Sequence, residues 1–413
     1  MRTILSTVAA LSLLGSGLAH ADAPTDEAPL TLAEAIMGGT ASVDFRYRLE
    51  TVEQGGFAED ALASTLRTKL KYSTGSWNDF SAVLEFDNVT QLGGGDYNST
   101  VNGKGAFPVI ADPLITEVNQ FHLAYSGIEN TTLLAGRVAL NLNNQRFVGT
   151  VGWRQNDQTW DMVGGITSPM EDLKLTYGYV WNVNRIFGDD HPFGDLDTNT
   201  HIFNAEYTGF ELGKVTAYGL LVDLNDAPVF GLSSQTYGIR FDGKQDMGDQ
   251  GMSLLYEAEF AAQSDYQDNP NSFSASYYHL AGGIAANGFT GKLGYEVLGS
   301  DNGTGFQTPL ATLHKFNGWA DKFLGTPGTG LEDLYASASY TIGSEGSLSG
   351  LKFDAIYHDF SAETGGDYGS EIDLQVSKKF MDHYFLSLKF ADYSSDGFAT
   401  DTQKIWLTFG ASY

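Results

Sequence analysis

Cysteine is absent from the 413-residue chain, and long hydrophobic runs are nearly absent. Without cysteine, disulfide frameworks and thiolate metal sites are excluded, and the redox compartment cannot be read from cysteine usage. Beyond the first twenty residues, no stretch approaches the roughly twenty uncharged apolar residues that a membrane-spanning helix needs. The sequence therefore predicts a protein without helical membrane anchors and without disulfides.

Positive charge is scarce. The chain has 23 Lys and Arg against 51 Asp and Glu, which gives a formal net charge of -28. Nucleic-acid binding needs a basic surface that neutralises phosphates. The charge balance therefore excludes nucleic acid as a partner.

The N-terminus has the pattern of an export signal. Arg2 precedes an apolar stretch from Ile4 to Leu18, followed by the small-residue site Ala19-His20-Ala21. This pattern predicts a secretory signal peptide over residues 1–21, with the mature chain beginning near Asp22. Residues 22–41 are expected to form a short periplasmic segment, in which residues 31–37 have apolar side chains at helical spacing.

From residue 42 to the last residue, 413, apolar and polar side chains alternate in short segments. In the first, Val43 and Phe45 alternate with Asp44 and Arg46. About eighteen such segments begin near residues 42, 62, 78, 117, 130, 158, 172, 199, 212, 234, 251, 274, 289, 332, 349, 368, 383 and 402. Each segment has one lipid-facing side and one water-facing side. An even number of such strands predicts an all-β, transmembrane, antiparallel up-and-down barrel.

Loop lengths and the C-terminus support the same fold. The predicted inner turns are short and the outer connections include the long ones, as in outer-membrane barrels. In the last strand, Ile405, Leu407 and Phe409 form a lipid-facing row that continues to the terminal aromatic Tyr413. The strands of a soluble β-sandwich would also alternate apolar and polar side chains, but the sandwich would leave these outward apolar rows exposed to water. We therefore expect a protein of the Gram-negative outer membrane, in contact with lipid and lipopolysaccharide, whose C-terminal strand is recognised by the barrel-insertion machinery.

Two segments resemble the alginate-export-like outer-membrane proteins. They are residues 144–161, NQRFVGTVGWRQNDQTWD, and residues 311–324, ATLHKFNGWADKFL, with LEDLY following at 331–335. Both fall in predicted outer connections or at their rims. The resemblance implies an eighteen-stranded barrel and a channel for anionic polysaccharide.

The predicted lumen face carries charges of both signs. The expected basic pore-lining residues are Arg46, Arg48, Arg67, Lys69 and Lys71 on the first two strands, then Arg137, and Arg146 and Arg154 if their loop folds inward. The expected acidic pore-lining residues are Glu85, Asp87, Glu257 and Glu259. A cluster in a narrow passage would select ions, whereas residues that only hydrate the wall and pair with neighbouring acids would not. Both interpretations are open at this point.

The predicted function is passive passage of small solutes or oligosaccharides, or of anionic polysaccharide as in the alginate exporters. Two features count against alginate, namely the acidic excess in the outer loops and the lack of a long inner turn to cover the pore. The alternative is a non-conducting structural or adhesive barrel whose outer loops bind ions. No cofactor is expected and no nucleophile motif indicates an enzyme.

Two outer connections have unusual compositions. The first holds Asp189, Asp190, Asp195 and Asp197, which are weak candidates for a calcium site because they lack the spacing of a known calcium loop. The second, Gly299 to Leu331, is apolar for an exposed connection, and we expect it to pack against the barrel interior or a neighbouring protomer. The alternative is a loop that folds on itself.

Overall fold

The structure is a computed structural model that describes residues 31–226, 229–248, 251–343 and 345–413. The predicted signal peptide, residues 1–21, lies outside the described residues, as do residues 22–30. No described helix is long and apolar enough to cross a membrane.

The described chain contains one short α-helix and twenty strands. The helix, α1, spans Leu32–Met37 and begins with a capping box in which Thr31 and Glu34 satisfy each other's backbone N–H groups. The strands are β1 Thr40–Gln54, β2 Ala61–Ser73, β3 Phe80–Asp96, β4 Ile115–Ile128, β5 Thr131–Val138, β6 Thr159–Met170, β7 Leu173–Asn184, β8 Asp195–Phe210, β9 Gly213–Val222, β10 Ser234–Asp246, β11 Met252–Asp265, β12 Ser274–Ala286, β13 Phe289–Leu298, β14 Ser300–Asp301, β15 Thr304–Gly305, β16 Leu331–Thr341, β17 Lys352–Ser361, β18 Asp367–Phe380, β19 Tyr384–Ser395 and β20 Thr402–Ser412.

Eighteen of these strands form one closed barrel. Each pairs antiparallel with its neighbours in sequence, β13 pairs with β16, and β20 closes the ring on β1 with Phe409 opposite Tyr47. Strands β14 and β15 form a separate two-stranded hairpin in the connection between β13 and β16. The predicted fold class is therefore confirmed.

The two faces of each strand are chemically different, as the closing strand shows. Ile405 and Leu407 are 40% and 39% exposed, whereas Trp406 between them is fully buried. A strand in an outer-membrane barrel alternates in this way because one face meets lipid and the other meets the lumen. The exposed row of β20 is the row that the sequence assigns to lipid.

The connections differ at the two ends of the barrel. At one end the strands are joined by tight turns, such as those at Asn130, Asp172 and Asn287, where the residue has a positive φ that asparagine and aspartate tolerate. At the other end are the long connections, including residues 139–158 and 299–330. The end with the short turns, where α1 and the last residue, Tyr413, also lie, is the periplasmic end of such barrels.

A hydrophobic core lies inside the barrel, towards its outer end. It joins inward side chains of β6 to β9, such as Trp160, Ile202 and Leu220, to Phe147 and Phe306 from the two long connections. Because these side chains are inside the ring, they occupy part of the outer lumen.

Candidate channel constriction

Two connections fold into the lumen and bind each other there. They are residues 139–158, between β5 and β6, and residues 299–330, between β13 and β16, called loop 139–158 and loop 299–330 below. The backbone N–H of Gly149 donates to Leu310 O at 3.0 Å, and the N–H of Thr312 donates to Gln145 O at 3.1 Å. The segments that resemble the alginate exporters lie largely in these loops.

Loop 299–330 is fixed to the barrel wall by buried carboxylates. The N–H of Ala320 donates to Glu371 at 2.7 Å and the N–H of Trp319 donates to Asp373 at 3.2 Å. Gly318 precedes them at a φ of +85°, with Glu371 where a Cβ would lie. Only glycine fits this position. The loop packs against the barrel interior, which is the first of the two placements that its apolar composition predicts.

The five predicted basic residues of β1 and β2 share the lumen face. In the strand register Arg46 lies opposite Arg67, and Lys69 lies opposite Asp44. Arg48 and Lys71 follow on the same face by the two-residue period of a strand. The structure therefore brings this basic patch together as the sequence predicts.

Two charges of the basic patch, those of Lys69 and Arg67, are paired with carboxylates. Lys69 binds Asp157 of loop 139–158 and lies 3.8 Å and 3.7 Å from Glu85 and Asp87. Arg67 binds Asp44 at 2.5 Å. The predicted acidic residues Glu85 and Asp87 thus serve as counter-charges in the wall.

Arg46 binds the loop backbone. Its Nη1 donates to Gly152 O at 2.8 Å and its Nε donates to the side chain of Gln155 at 2.9 Å. The guanidinium also donates to Arg154 O. Arg46 therefore holds loop 139–158 against β1.

Lys389 of β19 sits in a cage of aromatic rings. Its ammonium nitrogen lies 3.5 Å from the ring centroid of Trp319, 4.0 Å from that of Trp153 and 5.3 Å from that of Trp406. Arg48 packs on Trp153 at 4.2 Å, and its Nε and Nη1 have no hydrogen-bond partner among the described residues. Cation–π attraction therefore replaces counter-ions here.

Arg146 and Arg154 are inside the barrel, as expected for an inward loop, but both are buried. Arg154 binds Glu50 at 3.0 Å and lies 3.5 Å from Asp321 of the other loop. Arg146 binds Glu296 at 2.9 Å. Burial opposes the charge of Arg154, but the surrounding carboxylates outweigh it and raise the pKa of its guanidinium. These residues tie the loops to the wall and to each other.

Arg137 does not face the lumen. In β5 it shares a face with the exposed Leu133, and it lies opposite the exposed Phe121 of β4. It binds Asp161 at 2.8 Å on the same outward face. The prediction that Arg137 lines the pore is therefore wrong. On the outward face near the outer rim, its guanidinium is at the height of the lipid headgroups.

Glu257 and Glu259 lie on the lumen face of β11 and surround Arg240. The guanidinium of Arg240 binds Glu257 at 2.6 Å and Glu259 at 2.8 Å, and Lys292 binds Glu257 at 2.5 Å. This wall is therefore a mixed network of ion pairs.

The aspartates at 189, 190, 195 and 197 do not gather into a metal site. Among the described residues, no group of three or more His, Asp or Glu side chains is arranged to hold a metal ion. The structure gives the calcium hypothesis no support.

His314 of loop 299–330 links the two loops to the cage. Neither His314 nor Asp321 and Lys404 is distinguished as a site residue by strand alternation. The Nδ1 of His314 donates to Asp321 at 2.7 Å, its Nε2 accepts from Lys389 at 2.7 Å, and its ring stacks on Trp153 at 4.1 Å. Lys404 also binds Asp321, at 2.8 Å. His314 and Asp321 lie in residues 311–324, the second segment that resembles the alginate-export-like proteins. This resemblance is the signal in the sequence that points to them.

Acidification is expected to release loop 299–330. Burial and Lys389 lower the pKa of His314 well below its usual value, although Asp321 opposes them. A released histidine protonates near pH 6.5. Below that pH, the ratio of docked to released loop should fall up to about tenfold per pH unit.

Single-channel recordings from pH 8 to pH 4 would test this expectation, with larger and noisier currents expected below about pH 6.5. His314→Gln is the matched control because its amide can donate to Asp321 and accept from Lys389 without titrating. An identical pH response in this variant would assign the effect to other groups.

Comparison with known proteins supports the fold. No family model matches the chain, and no curated protein matches its sequence. Among solved structures it is similar to OpdL of Pseudomonas aeruginosa, with TM-score 0.68, 14% identity, and 92% of this chain and 99% of that chain covered. It is also similar to OccK9 (OpdG) of the same organism, with TM-score 0.69, 16% identity and 92% and 100% coverage. For OccAB2 of Acinetobacter baumannii the TM-score is 0.70, at 13% identity and 92% and 99% coverage.

The similar structures include the outer-membrane protein OpdK of Pseudomonas aeruginosa, with TM-score 0.69 and 15% identity. The eighteen-stranded barrel and its apolar outward face agree with the predicted outer-membrane location. The similarities do not support alginate export in particular.

Proposed function

We propose that the protein is an outer-membrane channel for passive passage of small solutes or oligosaccharides. The observation that carries this proposal is the pair of loops, 139–158 and 299–330, that narrow the lumen from inside. On the periplasmic side of these loops, lumen residues such as Lys174 and Lys352 have side chains 48% and 46% exposed. A solvent-accessible periplasmic side that leads to a narrow, structured zone is the geometry of a selective pore.

The charges of the narrow zone favour small or neutral cargo over a polyanion. Arg67, Lys69, Arg146 and Arg154 are each within 4 Å of a carboxylate. A paired cation attracts a passing anion much less than a free one, because the two charges nearly cancel at a distance. We therefore favour solutes over alginate as the cargo.

Planar-bilayer recording of the refolded protein tests the proposal. Discrete conductance steps that neutral oligosaccharides block would support it. Block by uronate oligomers alone would favour an exporter of anionic polymer, and complete lack of conductance would reject the channel.

The alternative is a closed barrel with a structural or adhesive role. It is favoured by one observation, the apolar core that fills part of the outer lumen, with Trp160, Ile202 and Phe306 fully buried. The same recordings separate the two functions, because a closed barrel passes no current at any voltage.

Lys71 is expected to contribute to ion selectivity. It lies on the lumen face of β2, opposite Ser42, and is partly exposed. A unit charge about 10 Å from an ion in water contributes about 0.4 kcal/mol, and it repels cations by the same amount by which it attracts anions. Lys71→Gln should therefore shift the permeability ratio about fourfold towards cations.

Replacing all five residues of the basic patch by Gln should give a larger shift in the same direction. Arg137→Gln is the matched control, because it removes one positive charge from the outward face. Equal shifts in Lys71→Gln and Arg137→Gln would remove the basic patch from the selectivity mechanism.

We also propose that the C-terminal strand is what the barrel-insertion machinery recognises. Tyr413 pairs with Val43 through two backbone hydrogen bonds of 2.9 Å, and its hydroxyl donates to Tyr384 at 2.7 Å. The terminal aromatic is thus part of the seam that closes the barrel.

A further inference from the structure

The helix α1 exposes large apolar side chains. Leu32, Ile36 and Met37 are 51%, 48% and 86% exposed, whereas Ala35 is buried. At 100° per residue, the three exposed side chains fall within an arc of about 140° that does not include Glu34. One side of α1 is therefore apolar and not covered by described residues of this chain.

The helix lies on the outside of the barrel at its periplasmic edge. The N–H of Gly75, in the turn between β2 and β3, donates to Ala35 O at 2.9 Å. Tyr72 donates its hydroxyl to Ile36 O. Tyr72 belongs to the outward face of β2, because it lies two residues beyond the 53% exposed Leu70.

Exposed aromatic residues lie in and beside the turn that binds α1. Trp77 and Phe80 lie in the same turn and at the start of β3, 37% and 46% exposed, and Phe80 packs on Tyr125 of β4 at 4.6 Å. Aromatic residues at this height form the girdle where the barrel wall meets the membrane interface. The apolar side of α1 therefore continues the lipid-facing surface of the barrel.

We propose that α1 is an interfacial anchor whose Leu32, Ile36 and Met37 insert among phospholipid acyl chains of the inner leaflet. An amphipathic helix buries its apolar face at the boundary between headgroups and acyl chains. The continuity with the lipid-facing wall selects lipid as the occupant, and the hydrogen bonds to Gly75 and Tyr72 hold the helix at the required depth.

The absence of cysteine makes a direct test possible. Ile36→Cys and Met37→Cys would each be labelled with a nitroxide and refolded into phosphatidylethanolamine–phosphatidylglycerol vesicles, with heat-modifiable migration as the check of folding. The lipid control is Leu293→Cys, 67% exposed on the outward face of β13. The water control is Ser349→Cys, exposed in the periplasmic turn between β16 and β17.

Collisions of the label with oxygen and with a water-soluble nickel chelate report its surroundings. Labels on α1 should collide with oxygen in preference to the chelate, as Leu293→Cys does. Chelate collisions at the level of Ser349→Cys would overturn the proposal. Low collision with both reagents would also overturn it, because the helix would then be covered by protein, either a partner or another part of this chain.

Discussion

Replacing residues 306–326 of loop 299–330 by a short glycine–serine linker will raise the single-channel conductance at least twofold. The reason is geometric, since this segment contributes Phe306, Leu310 and Phe323 to the core inside the barrel and contacts loop 139–158. Removing it leaves a wider water-filled lumen, and conductance grows with the open cross-section. Planar-bilayer recordings in the same salt would measure the change.

The matched control for this replacement is the same linker in place of residues 56–60, an exposed outer connection between β1 and β2. This variant should keep the original conductance, because those residues do not enter the lumen. If removal of residues 306–326 from a folded barrel leaves the conductance unchanged, loop 299–330 does not form the constriction.

Asp321→Asn is expected to detach the loops from the wall. Asp321 is the shared partner of Lys404 at 2.8 Å, His314 at 2.7 Å and Arg154 at 3.5 Å. All three partners are buried. The hydrogen bond from His314 and the positive charges of Lys404 and Arg154 hold the pKa of Asp321 well below its usual value, although burial opposes this. Removing one member of a buried charged network costs about 3–5 kcal/mol.

Limited proteolysis of refolded protein would measure this release. A cost of about 3 kcal/mol corresponds to roughly a hundredfold increase in the open population, and thus in the rate of cleavage within loop 299–330. Asp190→Asn is the control, because Asp190 is an exposed aspartate of an outer connection. Equal cleavage rates in the two variants would show that Asp321 does not hold the loop.

The strands could be predicted because their signal is local. The predicted segment starts lie within four residues of the observed ones, as at residue 234 for β10 and residue 402 for β20. Lipid on one face and water on the other impose a period of two on each strand, so a short stretch of sequence is enough. The same alternation placed Arg46, Arg67 and Lys69 together on the lumen face.

Alternation does not assign side chains to a face where a strand departs from the two-residue period. In β5 two leucines, Leu133 and Leu134, are adjacent, so the pattern does not say which face Arg137 occupies. The pairing of β4 with β5 has a register shift between Tyr125 and Ile128, which the sequence does not reveal. A shift of one residue moves a side chain to the opposite face of a sheet.

The sequence by itself determined the strand count, the closing strand and the mixed charge of the wall, because each depends on residues close together in the chain. Only the tertiary structure decided that loops 139–158 and 299–330 meet inside the barrel, that Asp321 joins Arg154, Lys404 and His314, and that Lys389 is enclosed by three tryptophans. Those contacts join residues as far apart in the chain as Arg154 and Asp321, or Trp153 and Lys389. Their energy comes from burial and pairing in three dimensions, which no periodicity along the chain encodes.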